Sequence, residues 1–125
     1  MNPWEKPEIT HNVPTKWNWV VSHPNGFEMG KNVDIGAFTY IMARYRVFIC
    51  KNVQIGSHCS IYTQSTIDNK KGVVVIGEGA RIGTHSTIMP GVSIGAGLTI
   101  PAYTFVKESL LNEDDVYELT GYRRR

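Results

Sequence analysis

Residues 76–106 read IGEGARIGTHSTIMPGVSIGAGLTIPAYTFV, and their spacing decides the fold. Large aliphatic side chains fall at Ile76, Ile82, Ile88, Ile94, Ile100 and Val106, each six residues after the last. Gly follows Ile76, Ile82 and Ile94, and Pro101 takes that place after Ile100. Four residues after each aliphatic stand Ala80, Ser86, Val92, Leu98 and Thr104, small or hydroxyl-bearing with Leu98 as the larger exception. A helix needs apolar residues three and four apart, and a lone strand alternates every two. A period of six fits a chain that makes one short strand, turns, and repeats, so that stacked rungs share a continuous core. Three such repeats make one triangular turn of eighteen residues, with rungs about 4.8 Å apart. Roughly four turns fit between Val33 and Lys107. The expected class is all-β. The prism is thin and its ends are open sheet edges, which the terminal segments are expected to cover.

Working outward, the repeat weakens toward the N-terminus. Ile35, Ile41 and Val47 keep the step, a two-residue slip follows, and Ile49, Ile55, Ile61 and Ile67 keep a new phase. From Ile67 to Ile76 the spacing is nine, and the three extra residues are assigned to a small polar loop at Asp68–Gly72. Residues 1–30 are expected to form an N-terminal arm, 31–107 the coils, and 108–125 a short helix and basic tail, all in one domain. Within the arm, Lys16–Val21 is rich in strand formers, with Trp17 and Trp19 on one side of an alternation. In the tail, Asn112 is a helix cap, with Glu113, Asp114 and Asp115 in the first turn. Val116 and Leu119 give an apolar face and Gly121 ends the helix.

Composition excludes several classes. The chain has 125 residues and a net charge of +2, so it holds no polybasic stripe for nucleic acid or acidic lipid. No apolar run approaches the length of a membrane span, and the N-terminus lacks the pattern of a signal peptide. Cys50 and Cys59 form neither a disulfide framework nor a CxxC pair. Cys59 falls on a small-residue position of a repeat, which points to a buried reduced thiol and a cytoplasmic protein.

The strings Ile55-Gly56-Ser57-His58-Cys59-Ser60 and Ile82-Gly83-Thr84-His85-Ser86-Thr87, with Ile88-Met89-Pro90-Gly91-Val92-Ser93-Ile94-Gly95, resemble the hexapeptide-repeat acyltransferases over roughly residues 30–108. The resemblance implies a left-handed parallel β-helix, a homotrimer, acetyl-CoA as donor, and active sites between neighbouring subunits; no metal is expected. Two departures separate the chain from the galactoside- and maltose-type sugar O-acetyltransferases. Their long loop carries a catalytic His in a Gly-His-Pro motif, whereas the loop at Asp68–Gly72 has none. Their Gly-x-Pro-Ala ending is replaced by Leu119-Thr120-Gly121-Tyr122-Arg123. The better match is to acetyltransferases acting on the amine of a nucleotide-linked 4,6-dideoxy or 3,6-dideoxy amino sugar in surface-polysaccharide pathways. Sugar O-acetylation and a non-catalytic β-helix scaffold are the alternatives. The γ-class carbonic anhydrases share the fold but need a second His five residues from the first, which neither His58 nor His85 has.

Acyl transfer needs a positioned nucleophile, a base for its proton and donors for the oxyanion. His58 and His85 each stand three residues after an inward aliphatic, at a corner, and are the candidate bases. Placing Ile55 with Ile76 and Ile61 with Ile82 sets His85 above Gln64 and His58 on another corner, so one site is expected to combine His58 of one subunit with His85 of the next. Asp68, Asn69 and Gln64 are candidates for holding the sugar. The resemblance assigns Thr84, Ala102 and Lys107 to coenzyme A, and the basic tail Arg123–Arg125 offers charge to phosphates. His11 and His23 are expected to make arm contacts, and Cys59, pointing inward, is not expected to be a nucleophile.

Overall fold

The computed structural model describes residues 3–124. Thirteen of its strands form three parallel sheets, the faces of a solenoid of four coils and one further strand. The first face stacks Val20–Ser22, Tyr40–Met42, Ser60–Tyr62, Thr87–Ile88 and Phe105–Val106. The second stacks Phe27–Met29, Val47–Ile49, Val74–Ile76 and Ser93–Ile94, and the third Asp34–Ile35, Gln54–Ile55, Arg81–Ile82 and Thr99–Ile100. Every pairing between these strands is parallel.

The register explains the period. Val21, Ile41, Ile61, Ile88 and Val106 lie directly above one another inside the first face. Met29, Ile49, Ile76 and Ile94 do the same in the second, and Ile35, Ile55, Ile82 and Ile100 in the third. Burying each Ile contributes about 1.5–3 kcal/mol, and the columns make these contributions continuous along the axis. The expected small residues Ala80, Ser86, Val92, Leu98 and Thr104 are all buried beneath the corners.

Coil length is not uniform. Ile41 pairs with Ile61, twenty residues on, and Ile61 with Ile88, twenty-seven on. Ile88 pairs with Val106, eighteen on. All the extra residues leave at one corner, between the first and second faces. In the first coil that corner holds a 3-10 turn, Pro24–Gly26. In the second it spans Ala43–Arg46, which is the two-residue slip seen in the sequence. In the third it holds an antiparallel hairpin, Gln64–Ser65 against Lys70–Lys71. Thr63 anchors the hairpin: its hydroxyl donates to Met42 O at 2.8 Å and accepts from Tyr45 N, and its carbonyl accepts from Gly72 N.

Four expectations are corrected here. Ile67 is not a core position; it sits on the hairpin loop, 96 % exposed. The insertion therefore holds nine residues beyond an eighteen-residue coil, not three, as the pairing of Ile49 with Ile76 shows. The solenoid also begins at Val20, inside the stretch assigned to the arm, because Val20–Ser22 and Phe27–Met29 pair in register with the next coil. Trp17 and Trp19 do not share a side: Trp19 is buried against Phe27, with ring centroids 6.3 Å apart, while Trp17 is exposed beneath Lys16.

Both ends are covered. Trp4 Nε1 donates to Val33 O at 3.0 Å, and Asn12 N donates to Val21 O at 2.9 Å, tying the arm to the first coil. Leu110 bridges to Ile94 and continues the second face. The helix α1, Glu113–Thr120, then lies over the other end. Asn112 Oδ1 accepts from Asp115 N at 2.9 Å and Gly121 closes the helix at φ 75°, as the sequence indicates. Only Val116 of its apolar pair is buried; Leu119 is exposed.

Candidate active site

The site lies at the corner between the third and first faces. Each coil turns there through one residue in the left-handed region: Asn18 (φ 67°), Phe38 (65°), His58 (58°), His85 (60°) and Tyr103 (60°). These residues stack. Each N–H from Phe38 onward is donated to a carbonyl of the coil before: Phe38 N to Asn18 O, His58 N to Ala37 O, His85 N to Ser57 O and Tyr103 N to Thr84 O, at 2.7–3.1 Å. The rings follow suit. Phe38 and His58 are 5.1 Å apart, His58 and His85 stack at 4.7 Å and 3°, and His85 and Tyr103 at 4.8 Å and 11°.

His58 and His85 therefore share one corner of one chain, against the expectation of separate corners. The error traces to the hairpin: a nine-residue insertion places Ile82 over Ile55, not over Ile61. The repeated quartets Ile35-Gly36-Ala37-Phe38, Ile55-Gly56-Ser57-His58, Ile82-Gly83-Thr84-His85 and Ile100-Pro101-Ala102-Tyr103 carry this alignment in the sequence. They also identify Phe38 and Tyr103, which reading single histidines misses.

The corner is an unusual place for bulky rings. The neighbouring corner, between the second and third faces, turns through Asn32, Asn52, Gly79 and Gly97 at φ 59–72°, residues that take this backbone readily. A bulky non-Gly residue held there stores roughly 1–3 kcal/mol, and such strain gathers at functional sites. Ring stacking offsets about 0.5–1.5 kcal/mol per pair. Phe38 and Tyr103 remain 64 % and 75 % exposed, so burial does not account for the rings.

A buried hydrogen-bonded ladder lies behind the corner. The residues after the rings, Thr39, Cys59, Ser86 and Thr104, all point inward. Thr39 Oγ1 donates to Gly56 O and accepts from Cys59 N; Cys59 Sγ donates to Gly83 O at 3.2 Å. Ser86 Oγ donates to Pro101 O and accepts from Thr104 N. Burial pushes the Cys59 thiol up, outweighing the backbone bonds from Ser86 and His85 that act the other way. That thiol is protonated and enclosed, so the expectation that it is no nucleophile fits the structure.

His85 is the one ring of the column whose nitrogen is held. Its Nδ1 lies 2.8 Å from Thr84 Oγ1, which also lies 2.7 Å from Ser57 O and 3.2 Å from Ser57 Oγ. Among the described residues His58 has no side-chain hydrogen bond of this kind. Beyond Tyr103 a groove of about 410 Å³ opens, lined by Ala102, Tyr103, Phe105, Leu119 and Tyr122 among others. Ala102 thus stands beside the His85 column.

The other candidates lie elsewhere. Lys107 opens on a separate groove of about 240 Å³ that also carries Glu108, Asp115 and Glu118, a mixed rather than basic surface. Arg123 is tied back to α1 by Asp114 at 3.4 Å and lies over Tyr117. Arg125 lies outside the described residues. Gln64, Asp68 and Asn69 are on the hairpin, at a different corner from His85, so His85 does not stand above Gln64. His11 of the arm meets His23 at the first coil's corner, where His11 Nδ1 accepts from His23 N at 2.8 Å. No group of three or more metal-ligating side chains occurs among the described residues, and no helix there is long and apolar enough to cross a membrane.

A family described as bacterial transferase hexapeptide (six repeats) matches residues 74–108, the two regular coils that carry His85 and Tyr103. The bifunctional protein GlmU of Xylella fastidiosa, strains M12 and M23, is 33 % identical over 107 residues, which is 82 % of this chain and 22 % of that protein. The chain thus spans about a fifth of the curated relatives it matches. Among solved structures, AntD, an N-acyltransferase from Bacillus cereus in complex with dTDP and 3-hydroxybutyryl-CoA, superposes with a TM-score of 0.62 at 22 % identity, over 79 % of this chain and 71 % of AntD. A single-site mutant of AntD, in complex with dTDP-4-amino-4,6-dideoxyglucose and coenzyme A, gives 0.60 at 23 % identity, over 84 % and 75 %. At that identity the likeness is one of fold. The expected parallel solenoid of about four coils with a short C-terminal helix is present, and its last coils, residues 74–108, match the hexapeptide repeats of that transferase family.

Proposed function

We propose that the chain transfers an acyl group, acetyl in the first instance, from coenzyme A to the amine of a nucleotide-linked deoxy amino sugar, with His85 as general base. The observation that carries this reading is the His85 imidazole, held by Thr84 on an exposed, strained corner beside the Ala102–Tyr122 groove. The amine nitrogen attacks the thioester carbonyl carbon, the C–N bond forms and the C–S bond breaks. The proton shed by nitrogen passes to His85 and from it to the departing thiolate, giving amide and free thiol. Backbone N–H groups at the turns are the available oxyanion donors.

Two further features support the reading. AntD, which shares the coil, is an N-acyltransferase solved with coenzyme A and an amino sugar nucleotide. The groove beside Ala102 suits the narrow arm of coenzyme A, while the carboxylates around Lys107 make that residue a poor phosphate site. The protein is proposed to act as a homotrimer. The exposed Phe38, Tyr103 and Phe105 then face a neighbouring subunit, and the Gln64–Asn69 hairpin of that neighbour supplies the sugar contacts that one chain cannot bring to its own His85.

The test is thiol release from acetyl-CoA across a panel of dTDP- and UDP-linked amino sugars and their hydroxyl counterparts, with sedimentation on the same sample. Turnover with the amines and a trimeric mass are expected. Turnover confined to hydroxyl sugars would replace N- by O-acetylation, and no turnover with any acceptor would leave a scaffold.

A further inference from the structure

The Thr84 hydroxyl has one proton and three neighbours, and their chemistry fixes where it goes. Ser57 O is a carbonyl and only accepts; at 2.7 Å from Thr84 Oγ1 the contact is attractive only if Thr84 donates to it. That carbonyl also accepts from His85 N at 3.1 Å, so both its lone pairs are in use. With its proton on Ser57 O, Thr84 Oγ1 is an acceptor toward its other two neighbours. Ser57 Oγ donates to it at 3.2 Å, and the remaining contact, His85 Nδ1 at 2.8 Å, is a hydrogen bond only if Nδ1 carries a proton. The opposite assignment, Thr84 donating to Nδ1, leaves two oxygens 2.7 Å apart with no proton between them.

We infer that Thr84 is a positioning residue that holds neutral His85 as its Nδ1–H tautomer and so leaves Nε2 as the atom that takes the proton. Free histidine in water prefers the opposite tautomer. A carboxylate usually performs this task in catalytic triads by accepting from Nδ1–H; here a threonine does so, itself oriented by a main-chain carbonyl of the coil below. His58 has Ser57 in the position where His85 has Thr84, and no bond of this kind holds its ring among the described residues. This separates two stacked histidines into one oriented and one not. The inference deepens the proposed role of His85 and depends on that role only for its effect on turnover.

The experiment is a long-range 1H–15N correlation spectrum of the 15N-labelled full chain, recorded at a pH where the histidines are neutral, for wild type, Thr84→Val and Thr84→Ser. The expected result is an Nδ1–H pattern for His85 in wild type and Thr84→Ser, and a shift toward Nε2–H in Thr84→Val. Turnover of Thr84→Val is expected to fall by about 10–100-fold, as for loss of a partner that orients a functional imidazole, with recovery in Thr84→Ser. An Nε2–H pattern in wild type overturns the inference without needing any variant, as does an unchanged tautomer in a folded Thr84→Val. If the spectra are as expected but His85→Asn turns over normally, the tautomer assignment stands and the base assignment fails.

Discussion

A methyl group added at Gly56 tests how tightly the coils are stacked beneath the site. The Cβ of Gly56→Ala would lie 2.6 Å from Thr84 N and 2.8 Å from Thr84 Cα, both main-chain atoms that cannot rotate away. To reach an ordinary contact of 3.4 Å the coils must part locally by about 0.8 Å. The bond from Gly56 N to Ile82 O, now 2.8 Å, would then exceed hydrogen-bonding distance. Overpacking of this kind costs about 1–3 kcal/mol, and each lost hydrogen bond adds roughly 0.5–1.5 kcal/mol. The expected destabilisation is about 3 kcal/mol, a large share of a typical domain's stability. Gly79→Ala is the control. Nothing lies within 4 Å of its added Cβ, but its φ of +72° carries a backbone penalty of about 1 kcal/mol. Gly79→Asn is expected to be near neutral, because Asn32 and Asn52 already occupy that column at φ 59° and 63°. Urea unfolding followed through buried Trp19, at fixed protein concentration, ranks the three variants. A Gly56→Ala protein as stable as Gly79→Ala would refute the close-approach argument.

Four other outcomes follow from particular contacts. Alkylation in the native state is expected to modify half-buried Cys50 and spare Cys59, which should react only on unfolding. Because burial raises the folded Cys59 thiol, the folded state keeps a proton that the unfolded state sheds; stability should therefore fall as pH rises above the ordinary thiol range, and Cys59→Ala should flatten that decline. Tyr103→Asn is expected to leave the unfolding midpoint unchanged or raise it, since Asn takes φ 60° readily and the ring is mostly exposed, while lowering turnover. A clear drop in the midpoint would show that the ring is there for stability. Asn112→Ala should lose about 1 kcal/mol of capping energy, read as faster amide exchange at Asp115, whose N–H it now holds.

The fold was legible because its signal repeats. A single Ile says little, but six aliphatics at one interval leave one way to bury them all. The capping of α1 was legible for a similar reason, since Asn112, the acidic first turn and Gly121 each satisfy a local backbone requirement. The site was only half legible. Histidine at a repeat corner singled out His58 and His85, but which corner depends on counting every residue between them. Ile67 broke that count by keeping the period without the role: it stands six residues after Ile61, yet the hairpin carries it into solvent. Nothing local distinguishes an inward Ile from an outward one there. Only the alignment of the aromatic quartets, a comparison across coils, restores the register. The link from Thr84 to His85 was beyond the sequence, because it depends on a rotamer and on a carbonyl one coil away.

One imidazole carries the proposed chemistry, and the direct measurement is kcat for thiol release by His85→Asn beside His58→Asn. Removing a general base lowers the rate by about 10²–10⁴-fold. His85→Asn is expected to fall within that range with both variants folded, since Asn tolerates the left-handed corner. His58→Asn is expected to lose far less. Equal, near-wild-type kcat in both variants would contradict a histidine base, and a larger loss in His58→Asn would move the base one coil down the column.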